Sequence, residues 1–189
     1  MKKQLALLGI VAVIALSGCG NNANNGNTAE SNQPNTNNSD MSHSEMNHSG
    51  TGEVPEGLKE AANPKFKVGS EAIIKADHME GMDGATATIV GAYDTTVYAV
   101  SYTPTTGGER VTNHKWVIHQ EIKDAGEKPF EQGTEVVLQA DHMKGMDGAT
   151  ATIDSAQQMT IYMVDYFPTN SDKKVTNHQW VTEDELTEK

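Results

Sequence analysis

The fourteen residues Ala76-Asp77-His78-Met79-Glu80-Gly81-Met82-Asp83-Gly84-Ala85-Thr86-Ala87-Thr88-Ile89 return as residues 140–153, with Lys144 in place of Glu80 as the single difference. Extended outward without a gap, Phe66 to Ile122 aligns with Phe130 to Leu186 at a constant offset of 64, and 30 of the 57 positions are identical by direct count. Such a tandem duplication constrains the fold strongly, because whatever one copy folds into the other must be able to fold into as well. It divides the 189-residue chain into a leader, a linker and two repeats, residues 58–125 and 126–189, each expected to be one folding unit. Units this small bury only about 60% of their unfolded surface, so packing of the copies on each other, or a ligand, is expected to help stabilise them.

The N-terminus reads as an address. Met1-Lys2-Lys3 is positively charged, Leu5 to Leu16 is apolar, and Leu16-Ser17-Gly18-Cys19 follows directly. The apolar run is too short for a membrane span and leads into polar sequence, which predicts a signal peptide over residues 1–18. Leu-Ser-Gly-Cys resembles the lipobox of bacterial lipoproteins, which implies that Cys19 becomes the lipidated first residue and hangs the protein on the outer face of the cytoplasmic membrane. Cys19 is also the only cysteine, so a disulfide and a thiolate metal site in the repeats are both excluded. The formal net charge of −12 opposes nucleic acid and favours cations and solubility.

Residues 19–57 are dominated by Asn, Ser, Thr and Gly and carry almost no apolar side chains, so the sequence predicts a disordered tether. Near its end, Met41, His43, Met46 and His48 alternate thioether and imidazole donors, the soft and borderline ligands suited to copper.

Within each repeat the apolar period is two. Ala72, Ile74 and Ala76, with Val136, Leu138 and Ala140, form the inward face of a first strand; Ala85, Ala87 and Ile89 form a second; Tyr98, Val100 and Tyr102 a third; Val111 to Val117 a fourth. Gly107-Gly108 marks a hairpin tip after Pro104. No segment has helical periodicity. The expectation is all-β, two tandem small barrels of SH3-like or KOW-like type, the second likeness resting on glycine placement after the first strand.

Three functional readings follow. In the first, His78, Met79, Met82 and His114, with His142, Met143, Met146 and His178, are neutral soft donors for copper, four to a repeat, with Asp77 and Asp83 orienting the imidazoles. In the second, Tyr98, Tyr102 and Trp116, with Tyr162, Tyr166 and Trp180, line an aromatic groove for cell-wall peptide or glycan, and the His and Met residues are structural. The third, an enzyme, is disfavoured, since no nucleophile elbow, zinc-protease motif or phosphate loop is present.

The block His78-Met79-x-Gly81-Met82-x-Gly84-Ala85, the block Val111-Thr112-Asn113-His114-x-Trp116-Val117, and their counterparts from His142 and Val175 resemble the YdhK-like family of Gram-positive lipoproteins. The resemblance covers Phe66 to Leu186. It implies a duplicated extracytoplasmic domain and no particular reaction.

Overall fold

Strands that alternate apolar and polar residues must bury one face, and the copies do so on each other. A computed structural model describes residues 49–189. The leader 1–18, Cys19 and the tether to His48, with Met41, His43 and Met46, lie outside the described residues. The described residues form eight strands: β1 (Lys59–Glu60), β2 (Glu71–Ile74), β3 (Thr86–Tyr102), β4 (Val111–Ile118), β5 (Glu135–Val137), β6 (Thr150–Tyr166), β7 (Val175–Thr182) and β8 (Leu186–Glu188). Two short 3-10 turns, His119–Glu121 and Glu183–Glu185, follow β4 and β7, and the described residues contain no α-helix. The fold is all-β in two tandem repeats. The strands join one open antiparallel sheet of order β5-β6-β3-β2-β8, with β1 and β4 also on β3 and β7 on β6; separate SH3-like or KOW-like barrels are not seen among the described residues.

The difference from expectation lies in residues 90–97. The second and third strands expected in the first repeat are one strand, β3, which pairs with β6 from Ala87↔Tyr166 to Tyr102↔Ala151. At 17 residues each, the two strands run roughly 55 Å. A strand edge needs a ladder partner, and the equivalent strand of the other copy supplies one along the whole length. The opposite edge of β3 is divided among β2 at its start, β1 at Tyr93 and Asp94, and β4 from Val97 onward.

This pairing assembles each core from halves of both repeats. One core joins Phe66, Ile74, Met82 and Ile89 of the first repeat to Tyr162, Tyr166 and Leu186 of the second. Another joins Tyr98, Tyr102 and Ile122 of the first to Leu138, Met146 and Ile153 of the second. A third, across the middle, holds Tyr93, Trp116, Met163 and Trp180. The repeats are units of sequence, while each core is common to both, and both fall within one compact unit. The inward faces read from the sequence hold: Ala72, Ile74, Ala76, Val136, Leu138 and Ala140 are all buried.

The duplicated turns also cross over. Gly81 accepts from the Thr169 amide at 2.8 Å and Gly145 from the Thr105 amide at 2.9 Å, each in the hairpin of the other repeat. A Cβ on Gly81 would lie 2.2 Å from Asn170 Oδ1, and one on Gly145 would lie 2.6 Å from Thr106 Oγ1; both glycines also have positive φ. Glycine is needed there for close approach as much as for the turn.

The end of the expected tether is not loose. In residues 49–57, Gly50 N donates to Thr176 O at 2.9 Å, Thr176 N donates to Ser49 Oγ at 3.0 Å, and Gln179 Nε2 donates to Glu53 O at 3.0 Å. This strap lies along β7.

Candidate functional site

The crossed pairing brings the two duplicated turns to the middle of β4 and β7. There a recess of about 100 Å³ is lined by His78, Met79 and His114 of the first repeat and His142, Met143 and His178 of the second. Ser49, Gly50, Lys115, Asp141 and Gln179 complete its wall. Six of the eight donors expected at two separate sites therefore meet at one. The other two do not: Met82 and Met146 are fully buried in the two end cores, where a flexible thioether fills space between aromatic and aliphatic neighbours. Both are core residues and not, as the sequence suggested, members of the donor set.

The imidazoles are held by residues that local sequence reading passes over. His78 Nε2 donates to Glu185 Oε1 at 2.6 Å, and Glu185 Oε2 accepts from Trp116 Nε1 at 2.8 Å and from the Thr182 amide at 3.0 Å. In the other half, Glu121 Oε1 accepts from His142 Nε2 at 2.8 Å and from Trp180 Nε1 at 3.0 Å, and Oε2 accepts from the Ile118 amide at 3.0 Å. Each glutamate thus binds a histidine and a tryptophan of the opposite repeat. Asp77 and Asp83, expected in the orienting role, are exposed. Glu121 and Glu185 were findable, since they are one of the 30 identical pairs at offset 64. Nothing near them in sequence marks them, because their partners are distant.

With Nε2 engaged, the Nδ1 atoms of His78 and His142 are buried without a hydrogen-bond partner, and so is Nε2 of His114. The ring of His114 stands edge-on to Tyr102 at 6.0 Å rather than against Trp116, and 6.2 Å from the ring of His142. Burial and the nearby His142 and His78 push the His114 pKa down to about 4, so it is neutral at pH 7 with an open lone pair. At His142 burial disfavours the charged form, but the charge of Glu121, the hydrogen bond to it, the charge of Asp141 and the nearby Trp116 carbonyl prevail and raise the pKa. Burial would push the Glu185 carboxyl up, yet the hydrogen bond and charge of His78 and the two further donors hold it down at about 2. As the rings stand, no group of three or more His, Cys, Asp or Glu among the described residues is close enough to hold a metal ion.

The six aromatics of the wall-binding reading form no groove. Tyr98, Tyr102, Tyr162, Tyr166 and Trp180 are at most 2% exposed and Trp116 only 9%. They are core: the four tyrosines fill the two end cores and the two tryptophans the middle one.

The family described as "Protein of unknown function (DUF1541)" matches this chain twice, over residues 68–119 and 132–183. The chain belongs to this family. It is 58% identical over 188 residues to the uncharacterized protein YdhK of Bacillus subtilis (strain 168), covering all of this chain and 90% of YdhK. A 2.00 Å crystal structure of YdhK, described as a DUF1541 family protein, aligns with a TM-score of 0.75 at 65% identity, over 78% of this chain and 100% of that one. A solution NMR structure of the YdhK C-terminal domain aligns with a TM-score of 0.63 at 65% identity, over 65% of this chain and 93% of that one. One 57-position repeat is under a third of 189 residues, so that domain spans both DUF1541 repeats, as a fold with common cores requires.

Proposed function

We propose that the protein is a lipid-anchored, extracytoplasmic binding protein whose recess takes a soft metal ion, copper in the first place, and buffers or passes it without catalysing a reaction. What supports this is one observation: three imidazoles, each with a buried nitrogen that makes no hydrogen bond, line one recess together with two thioethers. An unpaired buried polar atom costs on the order of 1–3 kcal/mol, and a ligand that accepts its lone pair recovers that cost. Thioether and imidazole together suit cuprous ion better than the hard cations that favour oxygen. Anchoring rests on Cys19 and its preceding Leu16-Ser17-Gly18, and Met41, His43, Met46 and His48 would offer further donors in the residues just before Ser49.

The test is a Cu(I) titration against a competing chelator, using the full chain and a variant with serine at Met41, His43, Met46 and His48. Sub-micromolar binding should persist in that variant and vanish on adding His114→Ala and His142→Ala. Binding no tighter than micromolar in the tract variant would remove the recess from consideration. Incorporation of labelled fatty acid that is lost on Cys19→Ser tests the anchor separately.

A further inference from the structure

Metal chemistry in proteins is set as much by what holds a ligand as by the ligand. A histidine that donates one ring N–H to a carboxylate is locked in one tautomer and orientation, and its other nitrogen becomes the better donor. We propose that Glu121 is a positioning residue: by accepting the Nε2 proton of His142 it presents Nδ1 of that ring, which together with Nε2 of His114 grips one soft monovalent cation across the boundary between the repeats. This rests on the metal reading above and deepens it.

Three observations carry the assignment. First, the two nitrogens named are the buried atoms of those rings that make no hydrogen bond of good geometry, the Trp116 carbonyl being the nearest backbone group to the His142 ring. Second, the spacing fits. With a metal–nitrogen bond of about 2.0 Å and roughly 1.1 Å from nitrogen to ring centre, imidazoles opposed across one ion have centroids about 6.2 Å apart. The His114 and His142 centroids are 6.2 Å apart. Two opposed nitrogens are what a monovalent soft ion accepts, whereas zinc takes four ligands in a tetrahedron. Met143, next to His142 in sequence, brings a thioether to the same recess. Third, Glu121 is itself fixed: Trp180 Nε1 and the Ile118 amide hold its two oxygens, and the residue is only 5% exposed. It therefore has no freedom to become a ligand and serves as a rigid acceptor. The set is incomplete in either repeat, because Glu121 and His114 come from the first and His142 from the second.

The experiment is ring-nitrogen NMR of the full-length chain titrated with Ag(I), a redox-inert probe of the same charge and softness, on wild type and Glu121→Gln. In wild type, His142 Nδ1 and His114 Nε2 should move together while His142 Nε2 keeps its proton. In Glu121→Gln, the His142 tautomer preference should weaken even without metal, and affinity at this pair should fall about 10- to 100-fold. A merely structural glutamate would lower the melting temperature and leave tautomer and ligating nitrogen unchanged. Coordination through His142 Nε2, or affinity within twofold of wild type in Glu121→Gln, overturns the assignment and leaves the metal reading standing. No response at any of the four recess histidines sinks both. Should Glu121→Gln fail to fold, the wild-type nitrogen pattern decides alone.

Discussion

In one half of the recess Glu185 spreads its two oxygens over His78, Trp116 and the Thr182 amide; in the other, Glu121 gives one oxygen to both His142 and Trp180 and the second to Ile118. These clusters are copies in sequence, yet they differ in setting. Trp180 is 1% exposed and packs edge-on against Tyr93 at 5.9 Å, whereas Trp116 is 9% exposed. The repeat position equivalent to Tyr93 is Gln157. The strap at Ser49 to Glu53 lies on β7, the strand that carries Trp180. The ladders differ the other way: beside Glu185, β2 has a three-residue ladder with β8, while beside Glu121, Leu138 has only a bridge to Ile122. Duplication copies the chemistry of a cluster, and the unduplicated flanks decide how deeply water is excluded from it.

The largest expected effect breaks this comparison outright. Glu121→Ala strips partners from His142, Trp180 and Ile118 in the drier half and should cost about 3–5 kcal/mol, and Glu185→Ala should cost less, both read by urea denaturation. Equal losses would show that the flanks do not matter. Next, Met82→Ala and Met146→Ala remove buried thioethers and should each cost about 2–5 kcal/mol with Cu(I) affinity kept. Met79→Ala and Met143→Ala, on the recess wall, should cost under about 1 kcal/mol and weaken Cu(I) instead. If the two pairs exchanged these effects, the assignment of core and wall would be reversed.

Acid should sharpen the contrast between the halves. His114 is held neutral, with its pKa lowered to about 4, so the unfolded chain binds more protons below the ordinary value of 6.5, and stability falls as pH drops from 6.5 toward 4. Glu185 is depressed to about 2, so its contribution is present above the ordinary 4.5 and lost as pH falls from there toward 2. Each pH unit of displacement is worth about 1.4 kcal/mol. Denaturation across pH should show a net loss between 6.5 and 4, reduced by what the raised pKa of His142 returns in acid, and Glu185→Gln should erase only the part below 4.5. The smallest effect concerns the strap: Ser49→Ala removes the acceptor for the Thr176 amide and should cost about 1 kcal/mol, with amide exchange rising on β7 and not on β4.

Much of the fold was legible because period-two patterning names the inward face of a strand whatever it pairs with, as at Ala72, Ile74, Val136 and Leu138. The donors of the recess were legible because they recur at offset 64 with no aliphatic substitute. Met82 and Met146 were misplaced since a thioether three residues from another looks the same in sequence whether it faces a core or a cleft. Glu121 and Glu185 were missed because a single acid in a short turn has no local signature, and its histidine and tryptophan partners lie 21 to 107 residues away in sequence.

What the amino-acid order determined by itself is the duplicated β pattern and the kinds of donor atom available. What only the tertiary structure decided is which copy each strand pairs with. Equivalent strands can ladder with their own repeat or with its twin, and the alternation of side chains is the same in both. The choice falls to the twin because a repeat of this size cannot bury the middle of its own long strand. That choice alone converts two half-sets of histidines and methionines into one recess.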